Sequence, residues 1–237
     1  MVVEVAALGE LRVGVDGTAI TPPAPKERAL LALLAIDAGR VVPTDRLLEE
    51  LWPDLPPDRG RHVLQVRIAE IRKPLGRAGA ADVLASAPAG YRLDVGADTL
   101  DSARFAALVQ EGRARLAAGD PGAAADTLRA ALGLWRGAAF AGVRGSAAVE
   151  AEAARLQELR LGAIEARTAA ELADGCHQQL VRSSMRWWPP IPSVRLCGEQ
   201  RVVALYRSGR QAEALRACAA SGCATSWVSN PAPAYAS

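Results

Sequence analysis

The chain has 237 residues, half of them hydrophobic, and a formal net charge of +2. That length allows one large or two small domains with a buried core, and no apolar run approaches the roughly 18 residues of a membrane-spanning helix. The opening MVVEVAALGELRV lacks the basic and apolar regions of a signal peptide, so a cytoplasmic protein is expected.

Residues 1–20 alternate well enough for short strands, Val3 to Val5 and Leu11-Val13-Val15, with a hairpin turn signal at Asp16-Gly17. Pro22-Pro23-Ala24-Pro25 breaks the sheet. A helix is predicted from Lys26 to about Ala38, carrying Leu30, Leu31, Leu33 and Leu34, with Gly39 as its stop. Val41-Val42 is a short extended link. Thr44 or Asp45 caps the next helix, which carries Leu47, Leu48, Leu51 and a core Trp52 to a stop at Pro53.

Pro56-Pro57-Asp58 launches a basic amphipathic helix, 59–73, which Pro74-Leu75-Gly76 ends. Leu64, Ile68, Ile71 and Leu75 recur at helical spacing and make one apolar face. From Arg59 to Arg92 there are seven basic residues (Arg59, Arg61, Arg67, Arg72, Lys73, Arg77, Arg92) and two acids (Glu70, Asp82), a local charge of +5. One buried face with Arg and Gln on the others suits a major groove; the same charges also suit an ordinary solvated helix. Residues 83–95 read as a two-stranded hairpin, a wing, closed around Pro88-Ala89-Gly90. Arg outnumbers Lys by 26 to 2, but it does so along the whole chain, which points to GC-rich coding DNA.

The second half is helical by pattern. One helix starts at Asp101 and runs through Leu108 to Leu116, and Ala117-Ala118-Gly119-Asp120-Pro121 makes a tight turn. Further helices are predicted over Ala123 to Trp135 and Glu150 to Leu172, then a helix-turn-helix over Val203 to Leu215. Small Ala and Gly residues at helix contacts suggest tetratricopeptide-like stacking. The cysteines (Cys176, Cys197, Cys218, Cys223) form no CxxC pair and the two histidines lie far apart, so no zinc site, disulfide framework or cofactor is expected. No GxGxxG after a strand, GxxxxGK[ST], HExxH or GxSxG is present, and Glu49-Glu50 read as acids on a solvated helix face; catalysis is not expected.

The order strands, helix, short strand, helix, basic helix, hairpin over residues 1–98 resembles an OmpR-type winged-helix DNA-binding domain. It is most similar to that of the Streptomyces antibiotic regulatory protein family of transcriptional activators. The residues that carry the likeness are Pro25 to Leu34, Gly39-Arg40-Val41-Val42, Asp45 to Leu48, Leu51-Trp52, Arg61, Leu64-Gln65-Val66, Ile68, Ile71-Arg72-Lys73 and Gly90-Tyr91. In the second half Asp101 to Phe105, Leu134 to Gly137, Glu152 to Leu156 and Tyr206 to Leu215 resemble the same family's bacterial transcriptional activator domain, which we place at 99–217. The expected fold is mainly α with small β-sheets: a winged helix-turn-helix followed by an all-α, tetratricopeptide-like domain.

The expected function is sequence-specific promoter binding by an activator of a biosynthetic gene cluster. Arg61, Gln65 and Arg67 are the candidates for base edges, since Arg suits guanine and Gln suits adenine. Arg59, Arg72 and Lys73 are the candidates for phosphates, and Arg92 with Gly90-Tyr91 for the minor groove. The resemblance implies two protomers on direct repeats and contact with RNA polymerase, with no membrane partner. Two other readings stay open: a helical-repeat protein-interaction module, and a defective regulator that binds DNA without activating.

Two segments depart from the resemblance. RSSMRWWPPIPSVR, 182–195, has three prolines where a helix pair should continue, and each would cost a helix about 3 kcal/mol or more; 218–237 shows no helical period. In a shifted frame of GC-rich codons Trp187 to Pro192 reads Val-Val-Ala-Ala-His-Pro, and 226–237 also regains a family-like pattern. Both segments are therefore expected to be out of frame. Glu70 and Ala87 replace basic residues usual in the family, which should weaken phosphate contacts.

Overall fold

The computed structural model describes residues 2–22, 24–175, 205–206 and 211–220. The segment 182–195 and the tail 221–237 lie outside them; 218–220, expected to be irregular, close a helix, as their Cys-Ala-Ala composition allows.

Alternation places Val3 and Val5 of β1 (Val3–Ala6) and Val13 and Val15 of β2 (Arg12–Val15) on one buried face, in antiparallel register Val3 with Val15 and Val5 with Val13. The predicted turn is there, with Asp16 at φ 47° and Gly17 at φ 84°. Both central residues in the left-handed region match the twist of a two-residue hairpin. The turn delivers a third strand, β3 (Thr18–Ile20), too short for its alternation to mark it in the sequence.

Helix α1 (Pro25–Ile36) has Pro25 in its first turn and is buried nearly all round from Ala29 to Ala35, so it is the central core helix. Gly39, at φ 77°, turns the chain out and gives its N–H to the Leu93 carbonyl. β4 (Val42–Pro43) leads into α2 (Thr44–Leu51). The expected Thr44 or Asp45 side-chain cap is absent: Pro43 occupies that position, and the Ala89 carbonyl accepts the Thr44 N–H at 3.0 Å. Trp52 is half-buried rather than core, because it lies beneath the Lys26 ammonium, which also holds the Leu51 carbonyl at 2.6 Å. A cation on the last carbonyls of α2 suits the helix dipole.

Helix α3 (Pro57–Arg77) continues four residues past the expected end at Lys73. Pro74 lacks an N–H and so removes one hydrogen bond, but it does so in the final turns, where Leu75 anchors the helix in the core. Gly60 lets α3 close on α2, since a Cβ there would sit 3.2 Å from Leu48. The predicted hairpin forms as β5 (Leu84–Ala87) and β6 (Gly90–Leu93), and the sheet order is β4-β6-β5. Gly90 permits this sheet, because a side chain there would run into the Val42 carbonyl.

Further helices among the described residues are α4 (Asp101–Ala117), α5 (Pro121–Gly133), α6 (Ala147–Ala173) and α7 (Gln211–Ala220). The chain forms two compact units, one of residues 1–108 with 131–160 and one of 109–130 with 161–237.

In the first unit, the segment after α5 pairs with the loop between β1 and β2. Arg136 N–H donates to Leu8, Phe140 to Ala7 and Ala141 to Gly9, at 2.8–2.9 Å. This pairing explains why Trp135 leaves its predicted helix. It turns instead to an edge-to-face contact with Phe105 at 5.4 Å, with the Arg160 guanidinium over its ring at 4.5 Å. Phe140 is held at φ 51° and is nearly fully buried, so its burial and the Ala7 bond offset a conformation that L-residues avoid. Asp101, at the start of α4, accepts from the Ala7 and Leu8 amides and from Arg136 Nη2, with shortest distances of 2.7 Å.

In the second unit small residues allow close helix contact, as expected. Gly112 of α4 faces Leu128 of α5 with no room for a Cβ, and Ala124, Ala125 and Ala170 pack together with Leu116. Arg129 bridges Asp126 and Glu171.

Candidate nucleic-acid interface

Four fully buried apolar residues, Leu64, Ile68, Ile71 and Leu75, fix the rotation of α3 about its axis. Each such side chain contributes about 1.5–3 kcal/mol on burial, so this orientation is well determined. What α3 then presents follows from its 100° step per residue: Arg61, Gln65, Ala69, Arg72 and Lys73 share an arc of roughly 120°. His62 lies in the same arc and is exposed, as are Arg61, Gln65, Ala69 and Lys73.

This face runs into the wing. An open cleft of about 550 Å³ separates them, lined by Gln65, Ile68, Ala69, Arg72, Lys73, Ser86 and Tyr91. Strand register pairs Ser86 with Tyr91 and Leu84 with Leu93, so these four share the face turned to α3. Tyr91 is half-buried and stands beside Val42 in the sheet.

The seven predicted site residues divide into two groups. Arg59, Arg61, Gln65 and Lys73 are exposed on α3. Among the described residues Arg59 and Gln65 make no side-chain bond. Arg61 only approaches Asp45 at 3.9 Å, and Lys73 holds Glu70 at 2.6 Å on the surface. Exposed pairs of that kind are worth well under about 1 kcal/mol and leave the cation available.

The other three are engaged with the protein. Arg67 lies roughly opposite the centre of the exposed arc and donates at 3.3 Å to the buried carboxylate of Glu27 in α1. Arg72 donates twice to the Leu84 carbonyl, at 2.9 and 2.7 Å, and once to Ser86 Oγ at 2.8 Å. Arg92 pairs with Ala85 across the hairpin, so its side chain is on the face of the wing turned away from the cleft, bound to Asp94 at 2.7 Å.

Glu27, Ser86 and Glu50 were not legible as partners. Glu27 had a local signal, an acid in the first turn after Pro25, and its Oε2 accepts the Ala24 N–H at 3.3 Å. Ser86 had none. Glu50 corrects the reading of a solvated acid: its Oε2 accepts from Ser146 Oγ at 2.8 Å and approaches the Ala148 N–H at 3.4 Å, at the start of α6.

Comparison with known proteins identifies this arrangement. A family model described as "Transcriptional regulatory protein, C terminal" matches residues 19–93, and one described as "Bacterial transcriptional activator domain" matches 100–220. Regulatory protein DnrI of Streptomyces peucetius is 36% identical over 221 residues, 90% of this chain and 81% of that protein. The chain belongs to the Streptomyces antibiotic regulatory protein family. Transcriptional regulator RedD of Streptomyces coelicolor is 35% identical over 90% of this chain and 62% of its own length. Regulatory protein AfsR of the same organism is 36% identical over 88% of this chain but only 20% of its own, so the chain spans a fifth of that relative.

A solved structure of Mycobacterium tuberculosis EmbR, in complex with a low-affinity phosphopeptide, shares 34% identity and a TM-score of 0.84; the match covers 98% of this chain and 62% of that one. As a member of the antibiotic regulatory protein family, the chain is a DNA-binding transcriptional regulator. Its fold is the expected one, mainly α with small sheets, a winged helix followed by the activator domain. Among the described residues no helix is long and apolar enough to cross a membrane.

Proposed function

We propose that α3 enters the major groove of promoter DNA and that the wing of 83–95 meets the adjacent backbone, in an activator of a biosynthetic gene cluster. The observation that carries this reading is the exposed arc of Arg61, Gln65, Ala69 and Lys73, continuous with the cleft below the wing. Arg61 and Gln65 read base edges, and Arg59 and Lys73 hold phosphates. Arg67 and Arg72 act through the protein groups they hold, and Arg92 reaches a phosphate only from the outer face of the wing. The division of labour is DNA binding by 1–98 and activation by 99–217. Two protomers occupy direct repeats and the activator domain engages RNA polymerase. Segments 182–195 and 218–237 are read out of frame, and verified coding DNA without the shift refutes that.

Footprinting of the full chain on DNA upstream of its neighbouring genes, at two salt concentrations, tests the main reading. Regularly spaced protection that fades steeply with salt is the expected result, because each neutralised phosphate adds about 0.9 to the salt slope. A folded chain that protects nothing refutes it.

A further inference from the structure

We infer that Arg72 is a positioning residue, whose guanidinium fixes the wing against α3 and so sets the spacing between the major-groove contact and the wing contact. This rests on the DNA-binding reading above and gives Arg72 a role other than a phosphate grip. β5 is an edge strand, since the sheet order is β4-β6-β5. An edge strand offers carbonyls that no neighbouring strand uses. Arg72 takes one of them, with Nε and Nη2 both on Leu84 O, and its second Nη2 hydrogen serves Ser86 Oγ. Three of its five N–H groups thus hold the wing, and only those on Nη1 remain, on a half-buried side chain that lines the cleft.

The rest of the attachment is apolar burial of Leu84 and Leu93, which sets no direction, and hydrogen bonds on the β6 side. The far side of the wing is held by a two-residue strand pairing, Val42 with Tyr91 and Pro43 with Gly90, by the Gly39 N–H on Leu93 and by the Thr44 N–H on Ala89. Between α3 and β5 the chain makes a single turn of 3-10 helix at Ala81–Val83. A planar fork that grips two acceptors fixes direction as well as distance, which an ammonium cannot do. Neighbouring Lys73 has no such bond to the wing and carries its charge to the same cleft.

The test uses the full chain with Arg72→Lys, Ser86→Ala, Ser86→Thr and Lys73→Ala. The readings are hydroxyl-radical footprints, salt slopes and amide exchange of β5 and β6 without DNA. Arg72→Lys keeps the charge but loses the fork. It is expected to lose the wing-side part of the footprint, to lower the salt slope only by the wing's own phosphate contact, and to speed amide exchange in the hairpin about tenfold, the size of a lost charged hydrogen bond. Ser86→Ala should do the same more weakly and Ser86→Thr should restore it. Lys73→Ala should lower the salt slope by about one and leave the footprint's extent alone.

Arg72→Lys with a native footprint and native hairpin exchange overturns the inference and makes Arg72 a simple charge. If even the native chain protects no DNA, the binding reading fails. The exchange measurement then decides the clamp by itself: unchanged exchange in Arg72→Lys overturns it.

Discussion

Arg72 and Lys73 are adjacent in α3, yet one is bound to the wing by three hydrogen bonds and the other meets only an exposed Glu70. The same contrast separates Gln65 from Arg67, two residues apart and about 160° apart around the helix. Alanine at Arg61 or Gln65 should therefore cost about 1–3 kcal/mol on the preferred site and relax discrimination at one base pair, measured by binding to a panel of single-base variants. Alanine at Arg59 should weaken all sequences alike. Equal losses across the panel for Gln65→Ala would remove it from the base-reading set.

Asp101 supplies a pH dependence at the same scale. Burial raises its carboxyl above the ordinary 3.8, against the lowering by the Ala7 and Leu8 amides, Arg136 and the Ser102 amide. A carboxyl that binds its proton more tightly in the native state favours folding most below its ordinary value. That advantage is lost as pH rises through the raised value. Thermal unfolding of Asp101→Asn and the native chain, from about pH 3.5 to 6.5, should show the variant gaining relative stability as pH rises. A constant difference would show that the carboxyl titrates as in the unfolded chain.

At the scale of elements, α6 begins three residues earlier than its sequence pattern gives, at Ala147 instead of Glu150. Glu50 and Ser146 account for the extension by serving the first amides of α6. A carboxylate there also meets the favourable end of the helix dipole, whereas at the C-terminus of α2 it meets the unfavourable one. Glu50→Ala should lower stability by about 1 kcal/mol, as loss of a cap does, read as a lower denaturation midpoint at unchanged slope. A midpoint within error of native would show that Ser146 caps α6 alone.

Local signals made most elements legible: the Asp16-Gly17 hairpin, Gly39 as a stop, and the apolar stripe that orients α3. Boundaries failed where the decisive partner is remote in sequence. The Ala89 carbonyl replaces the Thr44 cap, Leu8 draws Trp135 out of its helix, and Leu75 keeps Pro74 helical. In the interface the exposed cations were readable from periodicity. The guanidiniums of Arg67, Arg72 and Arg92 were not, because Glu27, Ser86 and Asp94 become their partners only after folding.

At the scale of the whole molecule, the first compact unit is made from two stretches, 1–108 and 131–160. A fragment of residues 1–98 lacks Asp101, Arg136, Phe140 and Ala141, which together satisfy the loop of Ala7, Leu8 and Gly9. Such a fragment should retain α3 and its wing but unfold at least several degrees below the full chain, since about 1 kcal/mol moves the midpoint of a 60–100-residue domain by roughly 4–8 °C. Equal midpoints would mean that the winged helix owes nothing to 131–160.

That discontinuity also sets an order of events during synthesis. Leu8 and Gly9 leave the ribosome long before Arg136 and Ala141, the groups that pair with them. At roughly 5–20 residues per second the gap lasts on the order of 6–25 s. Through that interval the loop's apolar residues and unpaired carbonyls are open to chaperones or to other nascent chains. The regulator therefore becomes complete at its N-terminus only after synthesis has passed the midpoint of the chain.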